Sequence, residues 1–263
     1  MPELPEVETV VRSLQPRLVG RRITTASFSS RLVVRQNFDE LSEKLRGQRV
    51  NSVNRRGKFI LVELDRGFLV IHLGMTGKLL FDAAAGKHAR AIFELDEGVL
   101  VYDDSRHFGR IEWNETLPAR VGALGPDALT IPVEDFRSLL RGRTTRVKAL
   151  LLNQRILAGM GNIYTDEALF IARIHPKTMA ARLSKAKVNS LHAAMVSILS
   201  LAIRHKGSSI SNYVDADGKR GAFQLQHQVY GREGKACNVC GTAIRRIVVA
   251  QRGTHYCPRC QKT

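Results

Sequence analysis

Apolar residues recur at Val7, Val10, Val11, Leu14 and Leu18, a helical stripe that predicts an amphipathic helix over residues 6–19 with Gly20 as its stop. Pro16 conflicts with that pattern and is expected to kink or shorten the helix. From Ile23 to about Trp113 the period changes to short β runs. Residues 59–64 and 68–73 flank Asp65-Arg66-Gly67, and residues 91–95 and 99–102 flank Asp96-Glu97-Gly98, two hairpin signals. Strands at this spacing suggest a sandwich or a barrel. Leu124-Gly125-Pro126-Asp127 reads as a linker, and beyond it the pattern is helical over 134–141, 146–154 and 163–172. A long helix follows the cap residue Ser184, with Val188, Leu191, Met195, Ile198, Leu199 and Ala202 on one stripe. Residues 207–224, rich in Gly, Ser and Asp, read as a mobile loop. The pattern contains no internal repeat.

Charge changes this picture more than composition does. The 263 residues carry 41 Lys and Arg against 24 Asp and Glu, a net charge of +17. An excess of that size points to a polyanionic partner, because cations that neutralise phosphates release condensed counterions. A basic but merely soluble protein is the alternative, and charge alone does not separate an enzyme from a binder. No stretch approaches the roughly eighteen unbroken apolar residues of a membrane span. The acidic, proline-rich start Met1-Pro2-Glu3-Leu4-Pro5-Glu6 is unlike a secretory signal, so the expected compartment is the cytoplasm.

Four cysteines lie at the C-terminal end as Cys237-x2-Cys240 and Cys257-x2-Cys260. Two such knuckles can close a tetrahedral zinc site, and four thiolates leave no open position for a catalytic water, so one structural Zn2+ is expected. Disulfides are the alternative. Lys235, Arg245, Arg246, Arg252, Arg259 and Lys262 surround the cysteines with no Asp or Glu among them, which suits nucleic acid.

Five separated segments together resemble the formamidopyrimidine-DNA glycosylase family over the length of the chain. They are Pro2-Glu3-Leu4-Pro5-Glu6-Val7-Glu8-Thr9, His72-Leu73-Gly74-Met75-Thr76-Gly77, Arg106-His107-Phe108-Gly109, Gly159-Met160-Gly161-Asn162-Ile163-Tyr164, and Ala250-Gln251-Arg252 ahead of Cys257 and Cys260. The related endonuclease VIII branch typically has Gly where this chain has Leu4. The resemblance implies an α+β multidomain fold. Residues 1–125 would form a catalytic β-sandwich with a leading helix, 126–228 a helix–two-turn–helix domain, and 229–263 a four-Cys zinc hairpin.

It also implies a bifunctional glycosylase and lyase of base excision repair. Such an enzyme removes 8-oxoguanine and formamidopyrimidines from double-stranded DNA and then cleaves the strand by β,δ-elimination, as a monomer with no membrane partner. DNA would run between the two large parts, in a bacterial, nucleoid-associated setting. Removal of Met1 would leave Pro2 as a secondary amine, with a pKa of about 8, able to condense to an iminium. Glu3 would protonate the sugar ring oxygen if partial burial raises its pKa, while Lys58 would contact phosphate and assist β-elimination. Arg252 would grip phosphates and serve the second elimination. Met75, Arg106 and Phe108 match residues that fill the gap left by a flipped nucleotide. Asn162, His72, His88, Arg143 and Lys148 match further DNA-contacting positions. His107 stands where Arg or Lys is common, which puts one phosphate contact in doubt, and lesion choice is assigned to Ser208, Ser209 and Tyr213 in the 207–224 loop. A pyrimidine-preferring sister enzyme and a non-catalytic DNA-binding zinc protein are the rival readings.

Overall fold

The structure is a computed structural model that describes residues 1–210 and 212–262. The chain folds into two compact units, one of Met1–Ala123 with His205–Gln224 and one of Leu124–Arg204 with Leu225–Thr263.

The first unit begins with helix α1 (Leu4–Leu18), which starts earlier than apolar periodicity alone indicates because Glu3 caps it. The Glu3 side chain accepts from the Glu6 N–H while the Glu6 carboxylate accepts from the Glu3 N–H at 2.8 Å, a reciprocal box that satisfies two orphan donors. Pro16 does not end the helix, since the turn beyond it buries Leu18. Eight strands follow: β1 (Ile23–Phe28), β2 (Val50–Arg56), β3 (Phe59–Leu64), β4 (Phe68–His72), β5 (Lys78–Phe81), β6 (Ala89–Leu95), β7 (Val99–Asp103) and β8 (Arg110–Asn114). They form two antiparallel four-stranded sheets, β1-β6-β7-β5 and β2-β3-β4-β8. The choice between sandwich and barrel is thereby settled as a sandwich. Alternate residues face inward, as with Ile60, Val62 and Leu64 on β3 and Ala91, Phe93 and Leu95 on β6. α1 packs on β2 and β3.

A helix interrupts the β region where only strands are expected. In α2 (Phe38–Leu45), Asn37 accepts from Asp39 N at 3.0 Å and Glu40 N at 3.3 Å, and Leu41 and Leu45 are buried. A single turn, α3 (Ala119–Gly122), closes this stretch.

The second unit holds α4 (Val133–Leu140), α5 (Val147–Leu152), α6 (Asn162–Ile171) and α7 (Lys185–Arg204). α7 is the one helix among the described residues long and apolar enough to cross a membrane. Its stripe of Leu191, Met195, Leu199 and Ala202 is buried, and the helix packs against α4 and α6. The hairpin β9 (Arg245–Val249) and β10 (Arg252–Tyr256) belongs to this unit, with β10 packed on α6. Its tip is a two-residue turn in which Ala250 and Gln251 both take positive φ, 50° and 58°. Such a turn matches the twist of the flanking strands but strains residues that carry a Cβ.

The 207–224 segment is a correction to the sequence reading, which expects a mobile loop grouped with the helices. Over His205–Gln224 the chain returns to the first unit, where Tyr213 and Ala216 join the sandwich core. Ser208 N donates to Glu6 at 2.7 Å, Ser209 Oγ donates to Tyr213 O at 2.8 Å, and Asp215 accepts from Asp217 N and Lys219 N. Ser211, within the expected lesion loop, and Thr263, at the end of the expected zinc domain, lie outside the described residues.

Candidate functional site

The start of α1 brings chemistry together inside the first unit. Pro2 and Glu3 are buried, and the terminal amine of Met1 has a pKa held below its usual value of 8.0. Burial is the main cause; the charges of Lys58 and Arg106 push the same way, while Glu3 and Glu6 push back. Amine, two carboxylates, lysine and arginine therefore share one neighbourhood. Lys58 is itself only 7 % exposed, in the turn between β2 and β3.

His72 ends β4, and its pKa falls to about 4, first through burial and then through the charges of Lys58, Arg120 and Arg110. Its Nδ1 accepts from Gly74 N at 3.2 Å, so the neutral ring presents Nε2–H as its donor. Phe59 packs on the ring with centroids 5.1 Å apart.

Met75 and Phe108 are not core residues: they are 42 % and 58 % exposed. Each tops a tight loop, one between β4 and β5 and one between β7 and β8. The loops interlock, because a Cβ on Gly74 would fall 2.4 Å from the Phe108 carbonyl carbon. Arg106 lies over the Phe108 ring at 5.0 Å. His107 bonds inward instead, with Nδ1 2.7 Å from Ser30 Oγ, so its role is to seat the loop in its left-handed turn (φ 57°). His88 is half-buried at the head of β6; its carbonyl accepts from Asp104 N at 2.9 Å and its Nδ1 lies 3.3 Å from Arg90.

In the second unit Asn162 opens α6 after the Gly159-Met160-Gly161 turn and donates to Gly253 O at 2.9 Å. Its buried Oδ1 has no partner among the described residues. Arg252 is exposed at the start of β10, beside the strained tip, and Arg143 is exposed on the loop between α4 and α5. Lys148 lies on α5. It is wholly buried, with Nζ donating to Asp166 Oδ1 at 2.6 Å and Thr254 Oγ1 at 2.8 Å, so its ammonium faces the hairpin rather than a solvent-borne phosphate.

Several partners escape sequence reasoning. Glu6 joins the start of α1 to Ser208, and a Cβ on Gly207 would fall 2.7 Å from Glu6 Oε1. Asp166 accepts from Lys148 and from His255 N at 2.8 Å. Glu167 accepts three backbone N–H groups, from Gln228, Val229 and Tyr230. Burial nonetheless leaves the Glu167 pKa raised. The available signal was two adjacent acids inside an otherwise apolar helix, a pattern that needs buried partners.

The four cysteine sulfurs lie within 4.8 Å of one another and none forms a disulfide. Cys237 and Cys260 are 3.9 Å apart and Cys240 and Cys257 3.4 Å, close to the separation of about 3.8 Å expected when four sulfurs sit about 2.3 Å from one tetrahedral ion. The geometry fits one structural zinc ion held by Cys237, Cys240, Cys257 and Cys260. Cys237 and Cys257 cluster with Ile244, Val229 and Phe170, which joins the metal site to the end of α6.

Comparison with known proteins agrees with this arrangement. Family models match residues 1–111 (formamidopyrimidine-DNA glycosylase N-terminal domain), 124–214 (formamidopyrimidine-DNA glycosylase H2TH domain) and 234–263 (zinc finger found in FPG and IleRS). The chain is 52% identical over 264 residues to the formamidopyrimidine-DNA glycosylase of Solibacter usitatus, covering 100% of both. It is 43% identical to that of Symbiobacterium thermophilum, over 99% of this chain and 89% of the relative. Lactococcus lactis Fpg in complex with DNA containing an abasic site superposes with a TM-score of 0.92 at 39% identity, covering 100% of each chain. The same protein with DNA containing N7-benzyl-Fapy-dG gives 0.91 at 38%. With its β-sandwich, its helical domain and its zinc hairpin all accounted for, the chain belongs to the formamidopyrimidine-DNA glycosylase family.

Proposed function

We propose that this protein is a bifunctional DNA glycosylase and abasic-site lyase that excises oxidised purines through a Schiff base on Pro2. The observation that carries the reading is the neighbourhood of the Met1 amine beside the buried Pro2 and Glu3, where burial, Lys58 and Arg106 lower the amine pKa against the charges of Glu3 and Glu6. Removal of Met1 moves the amine by one residue, about 3.8 Å along the chain, to the buried Pro2. A neutral secondary amine is the form that attacks carbon.

Pro2 nitrogen bonds to the deoxyribose C1′ as the bond from C1′ to the damaged base breaks, and the proton that the nitrogen gives up leaves with the base. Glu3, held at the cap of α1, delivers a proton to the ring oxygen and opens the sugar to the iminium. Loss of a C2′ proton then expels the 3′ phosphate, and a second elimination expels the 5′ phosphate. Lys58 and the exposed Arg252 neutralise the phosphates. His72, as a neutral Nε2–H donor, and His88, Arg143 and Asn162 position the backbone, while Met75, Arg106 and Phe108 fill the vacated stack. The net charge of +17 supplies the steering field for DNA.

The test is intact mass after borohydride treatment with an 8-oxoguanine:cytosine duplex. A chain lacking Met1 that gains one DNA strand, mapped to Pro2, is the expected result. A chain that traps only oxidised pyrimidines moves the assignment to the sister branch, and absence of any adduct or nick leaves a binding protein.

A further inference from the structure

Asp104 follows β7 and is wholly buried. Its Oδ1 accepts from Thr76 Oγ1 at 2.5 Å and Arg106 N at 3.2 Å; its Oδ2 accepts from Gly109 N at 2.8 Å, with the Tyr102 hydroxyl at 3.5 Å. Among the described residues no cation pairs with this carboxylate; Arg90 Nε donates instead to the Asp104 backbone carbonyl at 3.0 Å. A buried carboxylate without a counter-ion is expensive unless donors converge on it, and these donors come from two different loops. Thr76 follows Met75, while Arg106 and Gly109 bracket Phe108. The Tyr102 hydroxyl closes the same joint: a Cβ on Gly77 or Gly109 would fall 2.2 Å or 1.6 Å from it. Burial, then the charge of Asp104, raises the Tyr102 pKa and keeps it a phenol, hence a donor.

We infer that Asp104 is a positioning residue that locks the Met75 loop and the Arg106–Phe108 loop into one preformed wedge. This rests on the base-excision reading above. Half-exposed apolar side chains on independent loops would lose conformational freedom on entering a base stack. A frame set beforehand avoids that loss and inserts both sides of the wedge together.

The test uses the full-length zinc-loaded protein and two duplexes, one with 8-oxoguanine beside 2-aminopurine and one with a preformed abasic site. Asp104→Asn keeps the shape but replaces one acceptor oxygen by a donor NH2. Single-turnover excision of 8-oxoguanine and the 2-aminopurine fluorescence rise are both expected to fall about ten-fold or more, the equivalent of one lost charge-assisted hydrogen bond. Cleavage of the abasic duplex, which has no base to extrude, stays within about two-fold. Thr76→Val, which releases only the Met75 loop, gives a smaller loss in the same direction and serves if Asp104→Asn does not fold. Adding Phe108→Ala to Asp104→Asn costs less than the product of the two single effects, because they act through one wedge. Wild-type fluorescence and excision in both variants, or equal losses on both duplexes, overturn the inference. A wild-type protein that leaves the abasic duplex intact overturns the underlying reading instead.

Discussion

In the first unit the carboxylate of the buried Asp104 is held by two hydroxyls and two backbone N–H groups, and the nearby Arg90 guanidinium bonds the Asp104 backbone carbonyl rather than the carboxylate. In the second, the equally buried Asp166 takes the Lys148 ammonium at 2.6 Å and the His255 N–H at 2.8 Å, and Lys148 reaches on to Thr254. Neutral donors make the first carboxylate a joint between loops, sensitive to their geometry. The ion pair makes the second a rivet between α6 and the zinc hairpin, where losing one partner strands a charge. The same residue type thus joins two loops in one place and secures an anchor in the other.

Chelation of zinc should break the comparison most severely. Metal binding in such sites contributes on the order of 10 kcal/mol, so stripping the ion is expected to unravel the β9–β10 hairpin and abolish DNA binding. Loss of DNA binding on chelation, read by fluorescence anisotropy with a labelled duplex, checks this, and retained binding would refute it. Next comes Lys148→Met, which leaves Asp166 charged and buried. A loss of about 3–5 kcal/mol lowers Tm by roughly 10 °C, and the double variant with Asp166→Leu recovers most of it. An unchanged Tm in scanning calorimetry would refute the rivet.

The smallest effect is the response to acid. His72 in the first unit and His227 in the second both have pKa values lowered to about 4 from 6.5, first by burial. The unfolded chain therefore takes up protons before the folded one. Stability from these groups is fully present above pH 6.5 and declines as pH falls toward 4, by on the order of 2 kcal/mol for each. His72→Gln and His227→Gln should each flatten this decline, read as the dependence of Tm on pH.

What could be read in the sequence was local. The hairpins at 59–73 and 91–102 are set by turn residues between alternating runs, and the zinc site by two short spacings. Helices α4 to α7 start within about two residues of their expected positions, since caps and periodicity lie together. The signal for α2 was also local, Asn37 ahead of Asp39 and Glu40, but was submerged in the β pattern around it. What stayed hidden depends on partners distant in the chain. Lys148 lies 106 residues from Thr254, and Glu6 lies 202 from Ser208, so no window shows that the first is buried or that the second ties down the 207–224 segment. Asp104 was passed over for a different reason. Its significance is a convergence of donors from two loops, and its own neighbours in sequence give no hint of that.

The return of the chain to the first unit over His205–Gln224 also bears on how the protein is made. Translation proceeds at about 5–20 residues per second, and domains tend to fold as they emerge. Here the sandwich core waits for Tyr213 and Ala216, and Glu6 waits for Ser208, until four helices of the other unit have left the ribosome. The start of α1 therefore acquires its Ser208 partner only after most of the chain has been made.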